Sequence, residues 1–288
     1  MSIDAKRRAA AVAFVALLVL SVWWPSPIVS VNEACCRADL GIDDLSFLGR
    51  EAPSWDVAFW CLAGIFAIAL FQTGDGRDFR DPWNQLRAMR FRHGRAALIT
   101  LAIGAVLVAL VWRFADASIT SWAERIQSDP IEDAIRIANR LGGGMNPAIL
   151  VFFFLLAGVA YRERRWTSYA VAMAIAGLGA GIAAQIVKAL FGRGRPELWL
   201  GPFQRAGQSA TSFPSGHTVG AFALAGVLFF ASPSRTLRVV ALLVAASVGM
   251  SRILAFRHWT SDVLASAILG LVVARLVTPV TRPTPALD

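Results

Sequence analysis

Residues 168–190 read SYAVAMAIAGLGAGIAAQIVKAL. From Ser168 to Val187, twenty consecutive residues carry no charge. As a helix rising 1.5 Å per residue, such a run covers about 30 Å, the thickness of a bilayer's hydrocarbon core. A backbone in lipid must satisfy its own hydrogen bonds, which leaves helices or a closed barrel. Barrel strands alternate apolar and polar residues in short segments; this run does not. Gly177, Gly179 and Gly181 resemble a dinucleotide loop superficially, but inside a span small residues let helices approach closely. The run ends on Lys188, one of only two lysines in the chain, the other being Lys6.

The rest of the chain repeats the pattern. Its 288 residues are 56% hydrophobic, with a mean hydropathy of +0.57. Apolar spans fall at about 9–24, 57–72, 96–113, 145–161, 168–190, 216–232, 237–255 and 260–278. The expected fold is all-α, a polytopic membrane helix bundle of about eight transmembrane helices. Lys6, Arg7 and Arg8 precede the first span, which puts the N-terminus in the cytoplasm. Arginine-rich loops follow spans two, four and six, while the first two alternate loops are richer in acid, including Asp116, Glu124, Asp129, Glu132 and Asp133. Charge bias and helix count thus agree on cytoplasmic termini. The first span has the basic start and short apolar run of a signal peptide. It reads as a retained helix, because it runs into Trp23-Trp24-Pro25 without a clear small-x-small cleavage site.

The net charge of +9 comes almost wholly from arginines between hydrophobic runs. They set topology and meet anionic headgroups, so no nucleic-acid partner is expected. Tryptophans near span ends, Trp112, Trp166, Trp199 and Trp259 among them, read as an interfacial aromatic belt. Segment 129–141 reads as an amphipathic helix capped by Asp129. Arg193 and Arg205, beyond span five, are expected at the outer surface, where side-chain labelling would report topology. Cys35, Cys36 and Cys61 have no metal-site spacing and read as incidental thiols, with a disulfide to Cys61 possible but unforced. His93 belongs to a solvated arginine-rich loop.

Three motifs carry the chemistry. The first is Lys188, six residues, then Arg195-Pro196; the second is Pro214-Ser215-Gly216-His217; the third is Ser251-Arg252, five residues, His258, three residues, Asp262. In the topology above all three reach one membrane face, the outer one. A phosphoryl group in transfer spreads negative charge over its oxygens, so fixed cations are the main need. Arg195 and Arg252 offer planar forks and Lys188 a point charge. Taken singly, an arginine at a span end is an interface anchor; an isolated lysine beside a span is functional by default. His258 and Asp262, four apart, share a helix face. The carboxylate is expected to bond one ring nitrogen and leave the other free to attack phosphorus. Pro214, Ser215 and Gly216 suit a helix start that attracts anions. His217 there would serve as acid and then base.

At these eleven positions the chain resembles the type-2 phosphatidic acid phosphatase (PAP2) family, also called the lipid phosphate phosphatase superfamily. The motif region 188–262 is covered without departure. The resemblance implies a six-helix catalytic core over 96–280. Residues 1–95 would be a two-helix extension and 281–288 a cytoplasmic tail. It implies a phosphohistidine mechanism with no metal or other cofactor. His258 would be the nucleophile, Asp262 its orienting partner and His217 the acid and base. Lys188, Arg195, Ser215, Gly216 and Arg252 would hold the phosphate.

The expected function is hydrolysis of a lipid phosphate or diphosphate at the outer face of the cell membrane. Undecaprenyl diphosphate, phosphatidylglycerol phosphate, phosphatidic acid and a lipid A phosphate are all admissible substrates. Two other readings stay open: a lipid phosphotransferase using the same intermediate, and a non-enzymatic lipid transporter or scaffold.

Overall fold

The computed structural model describes residues 94–278, except 144–145, 199–200 and 206–210. The expected spans at 9–24 and 57–72, the three cysteines, His93, Trp199 and the 281–288 tail lie outside the described residues. Packing divides the chain into two compact units, 1–78 with 156–164 and 79–155 with 165–288. The motifs lie in the second.

Among the described residues the regular structure is helical. The elements are α1 (Gly94–Phe114), α2 (Asp116–Arg125), α3 (Asp129–Gly142), α4 (Asn146–Tyr161), α5 (Arg164–Phe191), a short 3₁₀ turn (Pro196–Leu198), α6 (Gly216–Ala231), α7 (Arg235–Leu254) and α8 (Thr260–Val277). Four of them, α1, α5, α7 and α8, are long and apolar enough to cross a membrane, while α4 and α6 are apolar but shorter. The chain is a multi-pass helical membrane protein. Six expected spans and the amphipathic segment fall within a few residues of observed helices. Helix α2 was not anticipated. Its sequence is polar, and it continues α1 almost without interruption, since Ala115 donates to the Val111 carbonyl and Ile119 to the Ala115 carbonyl.

The core of this unit runs along one face of α5. Ala172, Ala176, Ala180 and Ala184 recur every fourth residue and are buried with Val219, Ala223, Leu224 and Val227 of α6 and Ala274 of α8. The opposite stripe of α5, Leu178, Ile182, Ile186 and Leu190, is exposed, as a lipid-facing surface requires. Helices α6 and α8 approach closely. A Cβ at Gly270 would stand 2.7 Å from the Val219 carbonyl oxygen and 2.9 Å from the Ala223 nitrogen. Only hydrogen fits there, so α6 and α8 touch backbone to backbone. These two helices carry His217 and Asp262 at their first turns.

Candidate active site

The three motifs converge where α5 and α7 end and α6 and α8 begin. Lys188 is in the last turn of α5, and the chain leaves that helix through Gly192 in the left-handed region (φ +58°). Arg193 and Gly194 then form isolated bridges to Arg205 and Thr211, which folds the Lys188–Arg195 motif back over the start of α6. Arg252 is in the last turn of α7, and His258 lies between α7 and α8.

Electrostatics tie these groups into one cluster. His217 lies in the field of Arg252, His258, Lys188 and Arg195. Lys188 feels Arg195, Asp262 and Arg252. Two of the cations keep unused donors: the Nε groups of Arg195 and Arg252 are buried with no hydrogen-bond partner among the described residues. A buried unpaired donor costs about 1–3 kcal/mol, more when charged, and an anion's oxygens would remove that cost. The remaining contacts hold these forks in place. Arg195 Nη1 donates to Glu197 at 3.2 Å. Glu197 also pairs with Arg257 at 3.0 Å. Arg252 Nη1 donates to Asn139 Oδ1 at 2.9 Å, and the Ser251 hydroxyl donates to the same atom at 2.9 Å. The amphipathic helix α3 therefore positions a site cation rather than only packing on the bundle. Just beyond it, a Cβ on Gly143 would come within 3.3 Å of His217 Nε2.

The start of α6 is built from serines and a threonine. Ser215 is fully buried at the N-cap. Its Oγ accepts from the Thr218 hydroxyl at 2.9 Å, and its own N–H donates to Ser266 Oγ at 2.7 Å. Gly216 and His217 open the helix, so their N–H groups have no intrahelical acceptor. Gly216 is exposed, with nothing within 4 Å of where a Cβ would stand. This is room for an oxyanion at a helix N-terminus.

His258 is almost fully buried. Its Nδ1 is 2.7 Å from the backbone carbonyl of Ser212 and 3.7 Å from Asp262 Oδ2. Only the first is a hydrogen-bond distance. A carbonyl can only accept, so Nδ1 carries the proton and Nε2 keeps its lone pair. One ring nitrogen was expected to be held by the Asp262 carboxylate; the atom at hydrogen-bond distance is Ser212 O instead. The reason is that Asp262 is already engaged. It accepts from Arg193 Nη1 at 2.5 Å, from the Trp259 N–H at 2.8 Å and from the Ser212 hydroxyl. Burial pushes the His258 pKa down, and the nearby Asp262 carboxylate works in the opposite direction.

Sequence reading missed the residues beneath this ring. Arg193, expected at the outer surface, is 2% exposed; Arg205 is exposed as expected. Arg193 is buried because its guanidinium joins two carboxylates, with Nη2 on Asp116 at 2.6 Å and Nη1 on Asp262. Its Cζ lies 4.1 Å from the Trp112 ring centre and 5.2 Å from that of Trp259. Trp259 is buried, and its Nε1 donates to the Gly194 carbonyl at 2.9 Å. The aromatic-belt reading therefore does not account for these two tryptophans. Asp116, counted beforehand as loop acid, is fully buried and accepts from the Ser261 N–H at 2.9 Å and its hydroxyl at 2.5 Å. The Gly192-Arg193-Gly194 spacing was the one sequence hint, an arginine held between glycines inside a motif.

Residues 165–284, all three motifs included, match the model of the PAP2 superfamily. Two curated relatives are lipid A 1-phosphatases. That of Porphyromonas gingivalis is 37% identical over 121 residues, covering 41% of this chain and 25% of that protein. That of Rhizobium johnstonii is 36% identical over 140 residues, covering 43% of this chain and 55% of that protein. The chain thus spans a quarter and about half of the lengths of these relatives. Among solved structures, the transmembrane PAP2-type phosphatidylglycerolphosphate phosphatase of Bacillus subtilis aligns with a TM-score of 0.53 at 23% identity, over 63% of this chain and 93% of that one. The two share a fold.

Proposed function

We propose that this protein is a membrane phosphatase that hydrolyses a lipid phosphate or diphosphate through a phosphohistidine. The observation that carries the reading is the cluster itself. His217 lies in the field of Lys188, Arg195 and Arg252 and His258 in that of Lys188 and Arg252, and Arg195 and Arg252 hold buried donors without a partner among the described residues. In the first step His258 Nε2 attacks phosphorus, the P–O bond to the lipid breaks, and His217 donates a proton to the leaving oxygen. In the second, water attacks the phosphorus, His217 takes a proton from it, and the P–N bond breaks to release inorganic phosphate. Lys188, Arg195 and Arg252 neutralise the oxygens in both steps, with the N–H groups at Gly216 and His217. Ser215 holds that helix start in place. Asp262 acts on His258 through its surroundings. No metal enters either step.

Lipid A 1-phosphate is the first substrate to test, because both curated relatives are named for it. Undecaprenyl diphosphate, phosphatidylglycerol phosphate and phosphatidic acid complete the panel. The proposed topology has eight spans in the inner membrane, both termini in the cytoplasm and the site facing outward. Residues 1–95 would form the two-helix extension, 96–280 the catalytic core and 281–288 the tail. The deciding experiment is phosphate release by purified protein in detergent, compared as kcat/KM across the panel. Release from one lipid well above the others supports hydrolysis and ranks the substrates. Transfer of the phosphoryl group to an added lipid alcohol in preference to water would instead make the protein a phosphotransferase. No release and no transfer with any lipid would overturn the reading.

A further inference from the structure

The buried layer under His258 forms a closed circuit. The Arg193 backbone carbonyl accepts from the Ser212 N–H at 2.6 Å, so the main chain of Arg193 holds Ser212 from one side. The side chain of Arg193 grips Asp262 at 2.5 Å, and Asp262 accepts from the Ser212 hydroxyl. Ser212 is thus held at its amide and at its hydroxyl by one arginine, directly and through one carboxylate. Its carbonyl is the atom that His258 Nδ1 meets at 2.7 Å. The guanidinium is fixed in turn. Nη2 is on Asp116 at 2.6 Å, Nε is on the Pro202 carbonyl at 2.9 Å, and Nη1 also reaches Ser261 Oγ at 2.6 Å. Asp116 and Ser261 secure the start of α8 by a bond of 2.9 Å from the Ser261 N–H.

We propose that Arg193 is a positioning residue for His258, joining Asp116, Asp262 and Ser212 into one unit whose carbonyl sets the ring's tautomer and aim. The inference rests on the phosphohistidine reading only for its kinetic consequence. The tautomer consequence stands apart from it. A lysine at this position keeps the charge, but one ammonium cannot present a planar fork to two carboxylates and a carbonyl at once. Two formal negative charges also surround one formal positive charge in the unit. The excess lies beneath the imidazole, which gains positive charge when its Nε2 bonds to phosphorus.

The test uses the full-length protein in detergent, with Arg193→Lys and the milder Asp116→Asn as variants. The chain has three histidines, so ¹⁵N-histidine labelling gives three ring systems, assigned by single His→Gln variants. The wild-type His258 ring is expected as one neutral tautomer protonated at Nδ1. In Arg193→Lys that signature gives way to mixed tautomers. On the substrate the wild type prefers, kcat falls about 10–100-fold, the usual cost of losing a group that orients a reacting one. KM and the inhibition constant of inorganic phosphate stay within about twofold, because the anion-binding cations are untouched. Asp116→Asn shifts the same readouts in the same direction by less, and decides the matter if Arg193→Lys does not fold. An unchanged tautomer with kcat within twofold of wild type would overturn the inference. So would KM and the phosphate constant rising in step with the loss of kcat, which would mean that the anion site had collapsed. A wild type that releases no phosphate would overturn the phosphatase reading, while the tautomer comparison would still decide this one.

Discussion

Two layers of the site, a few residues apart in sequence, treat their arginines in opposite ways. Arg193 has bonds from all three guanidinium nitrogens and lies against two tryptophan rings. Arg195 and Arg252 each make a bond through Nη1 and keep a buried Nε without a partner among the described residues. Residues 193 and 195 come from the same short motif. The difference shows how a membrane chain separates scaffold from receptor. On the proposed reading, the arginine that supports His258 is saturated, and the two that would meet a phosphate are held by one corner.

The comparison breaks most sharply at the histidines. His258→Ala should abolish turnover, a loss of roughly 10⁴-fold or more in kcat, while competitive binding of inorganic phosphate survives. Activity near wild type would mean that the saturated layer orients nothing. His217→Ala should slow release by about 10²–10⁴-fold and trap labelled phosphate on the protein after brief exposure to substrate. Absence of any acid-labile, base-stable phosphoprotein would count against a histidine carrier. Arg195→Lys and Arg252→Lys should each weaken inorganic phosphate binding about 10–100-fold, the worth of one or two charged hydrogen bonds at about 1.5–3 kcal/mol each. Equal weakening by Arg193→Lys would erase the distinction between the two layers.

A smaller effect is expected from pH. Burial lowers the His258 pKa, so the neutral ring persists below the ordinary imidazole value of about 6.5. The acid limb of kcat/KM should then have its midpoint below about 6.5. The sign for stability is the same. The folded form resists protonation of His258, so this group's contribution is fully present above about 6.5 and is lost as pH falls toward the lowered value. A midpoint at or above 6.5 would place the nucleophile in a wetter site than the one described. The smallest effect is none: EDTA should leave phosphate release unchanged, and a strict divalent requirement would remove the metal-free mechanism.

The spans were legible because uninterrupted apolar runs are a strong signal; the expected 168–190 lies within the observed 164–191. The motif residues were legible because their spacing is local, as with His258 and Asp262 four apart. The supporting layer was not. Asp116 meets Ser261 across 145 positions of chain, and no spacing rule links them. The orienting atom for His258 belongs to a backbone carbonyl, which every residue has, so side-chain identity could not reveal it. Asp262 was the plausible orienter on helix periodicity alone. It stands at 3.7 Å from the ring, beyond hydrogen-bond distance, with its oxygens taken by Arg193, Ser212 and Trp259. Helix α2 escaped notice because ten residues that include three charges and three hydroxyls carry no span signal.

The hydrogen at Gly270 has a practical consequence for anyone screening variants. Gly270 lies eight residues beyond Asp262, about 12 Å along α8, and touches neither phosphate nor imidazole. A methyl there would force the two backbones apart by up to about an ångström, and the shift would reach the catalytic end as a misalignment between donor and acceptor. Such a protein would insert, extract and run on a gel like its parent yet be inert, and the lesion would be mistaken for damage to the chemistry.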